Sequence, residues 1–436
     1  MRKEALLEIL SDWNLWAKKI DTGIPREQYL KEVLKILQNT NQIVCISGVR
    51  RGGKSTLNKQ IAQDVANRFG KTNTLIINFE DERFTERTLT TLKEAYNCYL
   101  EKVKTTKEKP YVFLDEIQTV ESWERFARGI HERKEAKLLV SGSSSKLLSE
   151  ELATVLTGRQ ITIVLYPLSF KEFLMFKNLS VQSDIDVATK RTEIKRLIEE
   201  YLEYGGFPEV VLSSEKERLL LSYFETIITR DIINRFQIRD REKIKTLAKF
   251  YLTNISSHIT FNKVARFLNL PLTTVERFSG YLETAHVIFF IKKFSYSMKG
   301  QEKAQRKVYT IDSGLSNTIG FRFTKNYGKL MENIVALELK RRQTFHPMLE
   351  VYYWQDYQQR EVDFVLKEKT QVVQVIQVSF NIDEMNTKER EEKSLLKAME
   401  LFKLKKGVMI TADTEGEETR DGKTILYRPL WRWLLE

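Results

Sequence analysis

The sequence predicts an α/β protein with more than one domain. Over residues 43–166, short apolar runs rich in β-branched residues alternate with longer helical stretches, which is typical of parallel strands covered by helices. A loop with three glycines separates the first apolar run from the next helical stretch. Because the order of elements changes twice further along the chain, we predict a three-layer parallel-sheet domain, a helical middle and a second α/β domain.

The first domain is predicted over residues 1–178 and begins with helices in residues 1–36. Each apolar run is short enough for a buried strand. A serine-capped helix is expected after the fourth strand, and another begins at Ser169, where Glu172 has capping-box spacing. The predicted strands are Ile43–Ser47, 74–79, 111–114, 137–141 and 161–166, and the predicted helices between them are 56–69, 88–103 and Trp123–Arg133.

The middle domain, predicted over residues 179–300, is mostly helical after a polar segment at 178–188 that we predict to be a loop. Two short helices, Phe261–Leu268 and 272–283, are joined by a turn and followed by an apolar strand at 287–294. This order predicts a winged helix-turn-helix. The sequence supports a DNA reader and an intramolecular lid equally, because Lys and Arg are few on the second helix.

The last domain, predicted over residues 301–436, has a helix before its strands instead of after them. This change of order indicates a second α/β fold, distinct from the first. The predicted elements are a helix at 327–342, strands at 349–354, 361–366 and 372–380, a helix at 387–402 and a strand at 407–410.

Composition narrows the class of partner. The chain has 436 residues, which exceeds the usual size of a single core. Lys and Arg number 71 against 59 Asp and Glu, a net charge of +12. This surplus suits an anionic partner such as nucleic acid, a nucleotide or an acidic lipid, or simply a well-solvated lysine-rich surface.

Several classes of protein are disfavoured by composition. The two cysteines, Cys45 and Cys98, and four scattered histidines offer no disulfide framework and no zinc spacing. No run approaches the ~20 apolar residues of a membrane helix, and the N-terminal stretch lacks the apolar core of a signal peptide. We therefore expect a cytoplasmic protein that does not associate with membranes.

The glycine loop after the first strand matches the phosphate-binding pattern G-x-x-x-x-G-K-[ST]. Glycines let main-chain N–H groups point at phosphate oxygens, and the following helix adds the positive end of its dipole. Lys54 is expected on the β and γ phosphates of ATP, and the hydroxyl of Ser55 on Mg²⁺. The predicted nucleotide-binding residues are Gly48, Val49, Arg50, Arg51, Gly52, Gly53, Lys54, Ser55 and Thr56.

Two acids end the third predicted strand. Asp115 is expected to hold Mg²⁺, and Glu116 to orient or deprotonate the attacking water. An acidic pair at this position favours a hydrolysing ATPase over a passive switch. The alternative is that Glu116 is simply a residue at the start of a helix, favoured there by the dipole.

These motifs carry a family resemblance. The loop sequence SGVRRGGKST, the strand YVFLDEIQ, and the segments SGSSSKLL and LTGR resemble the AAA+-type P-loop ATPase domain. With YGGFPE at 204–209 and TRDI at 229–232, the chain is similar to a prokaryotic group of such ATPases. That resemblance implies a winged-helix region and a C-terminal domain resembling PD-(D/E)XK nucleases, a restriction-endonuclease-like α/β fold.

The resemblance also implies roles for two residues beyond the loop. Ser143 corresponds to the polar sensor near the γ-phosphate, although it would serve equally well as a helix N-cap. Arg159 corresponds to an arginine finger, which is often supplied by a neighbouring subunit; the alternative is a surface arginine. A finger acting between subunits would make the protein a homo-oligomer. Glu80 and Asp81 also fit the family pattern, with no role assigned.

The nuclease-like site departs from the family pattern. Asp363 supplies the first acid and Glu332 a further carboxylate, but Gln377 takes the place of the second acid and Ser379 that of the lysine. Glutamine carries no charge for Mg²⁺, and serine cannot replace the lysine. We therefore predict a degenerate site used for binding or assembly. Lysines on the next helix, Lys388 and Lys393, would be needed to rescue an active one.

Three hypotheses of function follow. The first is an ATP-driven conformational switch linked to nucleic acid, with DNA favoured over RNA. The second is a slow ATP sensor or scaffold that signals to a protein partner through its C-terminal domain. The third, which the altered nuclease pattern disfavours, is a nuclease gated by ATP.

Overall fold

The computed structural model describes residues 3–142, 156, 158–321, 326–382 and 385–436. The chain forms two compact units, Met1–Leu165 and Tyr166–Glu436. The division into three domains at residues 178 and 300 stays a prediction. No helix of the described residues is long and apolar enough to cross a membrane.

The first unit is built on a parallel sheet. Its strands are β1 (Ile43–Ser47), β2 (Thr74–Asn78), β3 (Tyr111–Asp115), β4 (Lys137–Gly142) and β5 (Gln160–Val164). Among the described residues these five pair in the order β2-β3-β4-β1-β5, and each neighbouring pair is parallel. Successive side chains of each strand point to opposite faces, so both faces of the sheet need a cover.

Helices cover both faces of this sheet. Cys45 and Val140 share one core with α1, α4 and α5. Val44 and Leu139 point the other way and are fully buried on the face that α2 and α3 contact. The predicted α/β class with a three-layer first domain is therefore confirmed. The helices are α1 (Lys3–Trp13), α2 (Glu27–Asn39), α3 (Lys54–Phe69), α4 (Leu89–Lys102) and α5 (Trp123–Arg133).

The second unit begins with helices. Ser169 and Glu172 form the expected capping box, with the N–H of Ser169 donating to Glu172 at 2.8 Å and that of Glu172 donating to Ser169 at 3.2 Å. The helices are α6 (Phe170–Phe176), α7 (Asp184–Thr189), α8 (Arg191–Tyr204), α9 (Pro208–Leu212), α10 (Lys216–Thr226), α11 (Arg241–Thr253), α12 (Phe261–Leu268) and α13 (Leu272–Thr284), with a π-helix at Ile227–Asn234.

The polar segment predicted as a loop contains α7, so that prediction was wrong over residues 184–188. Ser183 and Asp186 exchange side-chain and main-chain hydrogen bonds and stabilise this short helix locally. Polar composition therefore did not prevent a helix here.

Two sheets complete the second unit. Strands β6 (Ser257–Ile259), β7 (Ile288–Lys292) and β8 (Arg306–Thr310) form a small antiparallel sheet in the order β6-β8-β7. A mixed sheet has the order β13-β14-β12-β11-β10-β9. Its strands are β9 (Leu349–Gln355), β10 (Glu361–Glu368), β11 (Gln371–Ser379), β12 (Lys406–Thr411), β13 (Gly416–Arg420) and β14 (Lys423–Pro429).

The mixed sheet is antiparallel from β9 to β11 and parallel from β11 to β14. The remaining helices of this unit are α14 (Met298–Lys303), α15 (Ser313–Ile319), α16 (Tyr327–Phe345), α17 (Met385–Leu401) and α18 (Leu430–Trp433). In α17, a core of Leu395, Ala398 and Met399 packs against the sheet. This mixed sheet with helices is the predicted second α/β fold.

Candidate functional site

The order of strands in the first sheet determines which loops meet. The strands β1 and β3 end at the same edge, with β4 between them. The glycine loop follows β1, Asp115 ends β3, and Glu116 follows it. In open parallel sheets, ligands bind at the carboxyl ends of the strands. The sequence motifs therefore share one edge, and the end of β4 lies between them.

The glycine loop is constrained at its first residue. Gly48 has a φ of +152°, and a Cβ there would lie 2.2 Å from the carbonyl oxygen of Leu165. Gly53 precedes α3 with a φ of 96°, in the left-handed region that favours glycine. These positions need glycine because the main chain turns sharply and passes close to another segment.

Lys54 forms hydrogen bonds with the main chain of the glycine loop. Its Nζ donates to the carbonyl oxygens of Gly48 at 3.0 Å and Val49 at 2.9 Å, and the residue is 5% exposed. Ser55 and Thr56 follow on the first turn of α3 and are exposed. The ammonium therefore lies inside the loop, at the positive end of the helix.

A segment that precedes α2 in the chain forms hydrogen bonds that stabilise the glycine loop. The guanidinium of Arg26 donates to the carbonyl of Gly52 at 3.2 Å, and its main-chain N–H donates to Gln60 at 3.1 Å. Gln60 also donates to the carbonyls of Thr22 and Ile24, each at 2.8 Å. Sequence reasoning missed Arg26, since nothing near it in the chain marks it as a contact of the loop.

Asp115 is oriented by two neighbours that sequence reasoning also missed. Its Oδ1 accepts from the hydroxyl of Ser141 at 2.5 Å and from the amide of Asn58 at 3.2 Å. Asn58 also donates to Ser141 Oγ at 2.6 Å. Asn58 lies one turn after Lys54 on α3, and Ser141 is the next-to-last residue of β4. A fixed carboxylate is what a Mg²⁺ ligand requires.

Glu116 has an unusual main chain and a shielded side chain. Its φ of 50° lies in the left-handed region, and it is 7% exposed. Burial raises the pKa of its carboxyl, with Lys54 opposing the rise and Asp115 and Glu80 adding to it. Gln118 donates a hydrogen bond to the carboxylate. Strained residues of this kind cluster at functional sites, and a raised pKa makes a carboxylate a better base.

The acids after β2 now have partners. Glu80 forms an ion pair with Arg50 of the loop at 3.4 Å. Asp81 pairs with Arg83 at 2.8 Å and accepts from the indole of Trp13 at 2.7 Å, which together hold the pKa of Asp81 well below its usual range. Glu80 therefore belongs to the site, whereas Asp81 serves the structure around it.

Arg159 lies at the other end of the strands, where β1 and β5 begin. It directly precedes β5, and its carbonyl accepts from the N–H of Ile43 at the start of β1. A strand of five residues separates that end from the glycine loop, a distance of about 17 Å. Its guanidinium lies 3.5 Å from Glu132. The other residue implied by resemblance, Ser143, lies outside the described residues.

The donor set fits a divalent cation. Oxygen ligands suit Mg²⁺, and the exposed hydroxyl of Ser55 and the fixed carboxylate of Asp115 are of this kind. Gly48 leaves no room for a Cβ, so the loop keeps the narrow curl in which N–H groups converge. The edge therefore has the chemistry to hold a polyphosphate and its metal ion.

The predicted nuclease-like residues also converge, in the second unit. Glu332 and Asp363 both contact the ammonium of Lys307, at 2.9 and 2.8 Å. Gln377 accepts from the N–H of Asp363 at 3.1 Å. Ser379 ends β11, with its hydroxyl 3.4 Å from the carbonyl of Asn381.

Neither rescuing lysine reaches this cluster. Lys388 pairs with Glu418 at 2.5 Å, and Lys393 pairs with Glu389 at 3.3 Å on the exposed side of α17. The lysine that does reach it, Lys307, comes from β8, which sequence reasoning did not assign as a strand.

The parallel sheet, the glycine loop and the acids beside it define a P-loop ATPase domain of the AAA type. A family model described as "AAA domain" matches residues 40–174. Two further models, described as domains of unknown function (DUF8612 and DUF4143), match residues 195–325 and 327–431.

Relatives extend over nearly the whole chain. "Uncharacterized protein MJ1544" of Methanocaldococcus jannaschii is 36% identical over 409 residues, covering 91% of this chain and 88% of the relative. An "Uncharacterized protein" of Haemophilus influenzae is 32% identical over 421 residues, covering 95% and 99%. The chain therefore belongs to the family of these proteins.

Among solved structures, the chain is similar to a Walker-type ATPase of Pyrococcus abyssi. The two share 15% sequence identity at a TM-score of 0.45, covering 70% of this chain and 99% of the other.

Proposed function

We propose that this protein binds ATP with Mg²⁺ at the carboxyl edge of its first sheet and hydrolyses it. The observation that carries the proposal is that three groups share one end of the sheet: Lys54, bonded to the glycine loop after β1, and the buried carboxyls of Asp115 and Glu116 at the end of β3. A passive nucleotide site has no need of a strained, shielded carboxylate next to its metal ligand.

In this mechanism Lys54 exchanges its carbonyl partners for oxygens of the β and γ phosphates. The N–H groups of Gly48–Thr56 and the positive end of α3 bind the phosphate chain. Ser55 and Asp115 hold the metal ion, which when bound neutralises charge on the phosphates. Asn58 and Ser141 keep Asp115 in position. Glu116 orients the attacking water and accepts its proton.

The position of Arg159 supports a self-associated active form. An arginine side chain spans far less than the strand between it and the glycine loop of its own chain. We propose that Arg159 acts on ATP bound by a second copy, stabilising charge on the transferred phosphoryl group. Turnover then depends on protein concentration.

We further propose that hydrolysis drives a conformational switch linked to nucleic acid. The support is a net charge of +12 and a basic groove in the first unit. This groove, between α4 and α5, has a volume of about 840 Å³. Six cations line it against two acids, Glu108 and Glu135, a balance that suits a phosphodiester backbone. The cations are Lys93, Lys104, Lys107, Lys109, Arg125 and Arg133.

The proposal is tested by steady-state ATP hydrolysis with Mg²⁺, measured alone and with single-stranded DNA, duplex DNA or RNA. Glu116→Gln is run beside the wild type, with Glu121→Gln as a control on an exposed acid of the same segment. We expect turnover stimulated by DNA, and loss of about 10²–10⁴-fold in Glu116→Gln only.

Two outcomes would redirect the proposal. ATP binding without hydrolysis under any condition contradicts the ATPase and favours a slow sensor. Hydrolysis that no nucleic acid changes contradicts the link to nucleic acid alone, and a protein partner then becomes the better candidate.

A further inference from the structure

A buried lysine stands at the centre of the carboxylate cluster in the second unit. The side chain of Lys307 is 3% exposed. Its Nζ lies 2.9 Å from Glu332, 2.6 Å from Glu361 and 2.8 Å from Asp363. An ammonium has three donors, so these three carboxylates satisfy it completely.

The three acids come from two elements that both reach Lys307 of β8. Glu332 lies on α16, while Glu361 and Asp363 lie on the same face of β10, two residues apart. Glu332 accepts a second bond from the hydroxyl of Tyr309, at 2.7 Å. The carboxylates thus surround one point in space, and a strand of the smaller sheet supplies the cation that fills it.

The distances fit an ammonium and not a metal ion. Charge-assisted N–H···O bonds span about 2.7–2.9 Å, whereas Mg²⁺ binds oxygen at about 2.0–2.1 Å and Ca²⁺ at about 2.3–2.6 Å. The nuclease-like pattern implies a divalent metal among these acids, but the buried ammonium of Lys307 already fills the place where it would bind.

Gln377 and the second carboxylate oxygen of Asp363 form hydrogen bonds with groups other than Lys307. Gln377 turns its carbonyl oxygen to the N–H of Asp363, and its amide donates to Glu391 at 2.5 Å. The second oxygen of Asp363 accepts from the N–H of Val378 at 2.9 Å. Glutamine here fixes the main chain of β10 beside β11 and offers no oxygen to the cluster.

We propose that the ε-ammonium of Lys307 takes the place of the divalent metal in this three-carboxylate site. In that case the site is a buried cluster of salt bridges, which links β8 to α16 and β10 without a bound metal ion. The cluster's contribution to stability requires the lysine and all three carboxylates, because an uncompensated buried charge is strongly destabilising. The C-terminal domain accordingly has no metal-dependent nuclease activity at this site.

The test is Mn²⁺ binding to the nucleotide-free full chain, followed by the loss of the free Mn²⁺ signal in electron paramagnetic resonance. We expect wild type and Asp363→Asn to bind the same amount. Lys307→Ala removes the ammonium and leaves three converging acids, so it should gain one Mn²⁺ per chain. Adding Asp363→Asn to Lys307→Ala should abolish that gain.

Either of two results overturns the proposal. One is a wild-type chain that binds one Mn²⁺ more than Asp363→Asn. The other is a folded Lys307→Ala chain, judged by circular dichroism and cooperative melting, that gains no Mn²⁺. Should Lys307→Ala fail to fold, the comparison of wild type with Asp363→Asn decides, because it needs no change at the lysine. None of these readouts depends on ATP hydrolysis.

Discussion

The main-chain N–H of Ile43 donates a 2.8 Å hydrogen bond to the carbonyl of Arg159. This bond holds Arg159 beside the start of β1, while the glycine loop follows the end of that strand. Arg159 is therefore separated from the glycine loop of its own chain by the length of β1.

Complementation between two inactive variants follows from this separation. If Arg159 acts on a neighbour's ATP, Arg159→Ala and Glu116→Gln should each lose most hydrolysis. Mixing them should restore part of it, because some interfaces then pair an intact Arg159 with an intact Glu116. Loss of an arginine finger typically costs about 10³–10⁵-fold in turnover.

Arg128→Ala is the matched control for that experiment. Arg128 forms an ion pair of 2.7 Å with Glu132, the residue that Arg159 also contacts. Replacing Arg128 therefore tests the effect of losing an ion pair to Glu132 alone. Normal hydrolysis in Arg128→Ala and recovery in the mixture support action between copies. Full activity of Arg159→Ala would mean that the arginine is a surface residue.

Asn58 and Ser141 should control Mg²⁺ more than ATP. Both donate to Asp115 Oδ1, and loss of such supporting bonds typically weakens metal binding by about 10–100-fold. We expect Asn58→Ala and Ser141→Ala to raise the Mg²⁺ concentration for half-maximal hydrolysis by this factor. At saturating Mg²⁺, the rate should recover.

The control is Asn67→Ala, which removes an exposed amide from the same helix. It should leave the Mg²⁺ titration unchanged. A rate that stays low at saturating Mg²⁺ in Ser141→Ala would point to a direct role in the reaction instead of a role in positioning Asp115.

Gly48 should tolerate no side chain. In Gly48→Ala the new Cβ meets the carbonyl of Leu165 at 2.2 Å, so the loop must move away from β5. We expect loss of ATP binding by isothermal titration, together with a lower melting temperature.

Gly70→Ala separates this steric effect from backbone strain. Gly70 also has a positive φ, of 91°, but nothing lies within 4 Å of its Cβ position. It should cost about 1 kcal/mol of stability and keep ATP binding. Equal ATP affinity in the two variants would mean that the contact with Leu165 does not shape the loop.

The basic groove should govern stimulation by DNA. We expect Lys107→Glu with Lys109→Glu to weaken DNA binding and to reduce the slope of log affinity against log salt, since each phosphate contact releases counterions. Lys31→Glu with Lys35→Glu changes the same charge on exposed positions of α2. Fluorescence anisotropy at several salt concentrations compares the two pairs. Equal losses would indicate that net charge matters and the groove does not.

The sequence was enough to predict the parts of the candidate site that are continuous in the chain. The glycine loop is one continuous segment with the spacing of a phosphate-binding pattern, and Asp115 and Glu116 are adjacent at the end of β3. Asn58, Asp115 and Ser141 meet only because β4 lies between β1 and β3. No local pattern records that order, so the partners of Asp115 could not be identified beforehand.

Strand β8 shows a second limit of sequence reasoning. Strands are recognised by alternating apolar residues, and Lys307 is a charged residue on a buried face of this one. Its burial is explained by acids more than twenty residues away on α16 and β10. Because a lysine stands where the strand pattern requires an apolar residue, the sequence reveals neither the strand nor its contact with the three acids.

Asp312 makes a pH dependence testable. Its carboxylate is buried, forms no ion pair among the residues that the structure describes, and accepts from the N–H groups of Gly206 at 2.7 Å and Leu315 at 3.3 Å. Burial raises the pKa of Asp312 to about 7, against those hydrogen bonds. Between its unfolded value of 3.8 and about 7, the folded state binds more protons than the unfolded state. Its contribution to stability is therefore lost as pH rises through this window.

We expect Asp312→Asn to remove this part of the pH dependence. The wild type should lose more unfolding free energy than the variant between pH 4 and pH 7, at about 1.4 kcal/mol for each unit of pKa difference. Urea unfolding at several pH values measures the two slopes. Asp240→Asn, on an exposed acid of the same unit, should keep the wild-type slope. If Asp312→Asn and wild type change in parallel, the carboxyl of Asp312 is ionised throughout this range, and the main-chain donors outweigh its burial.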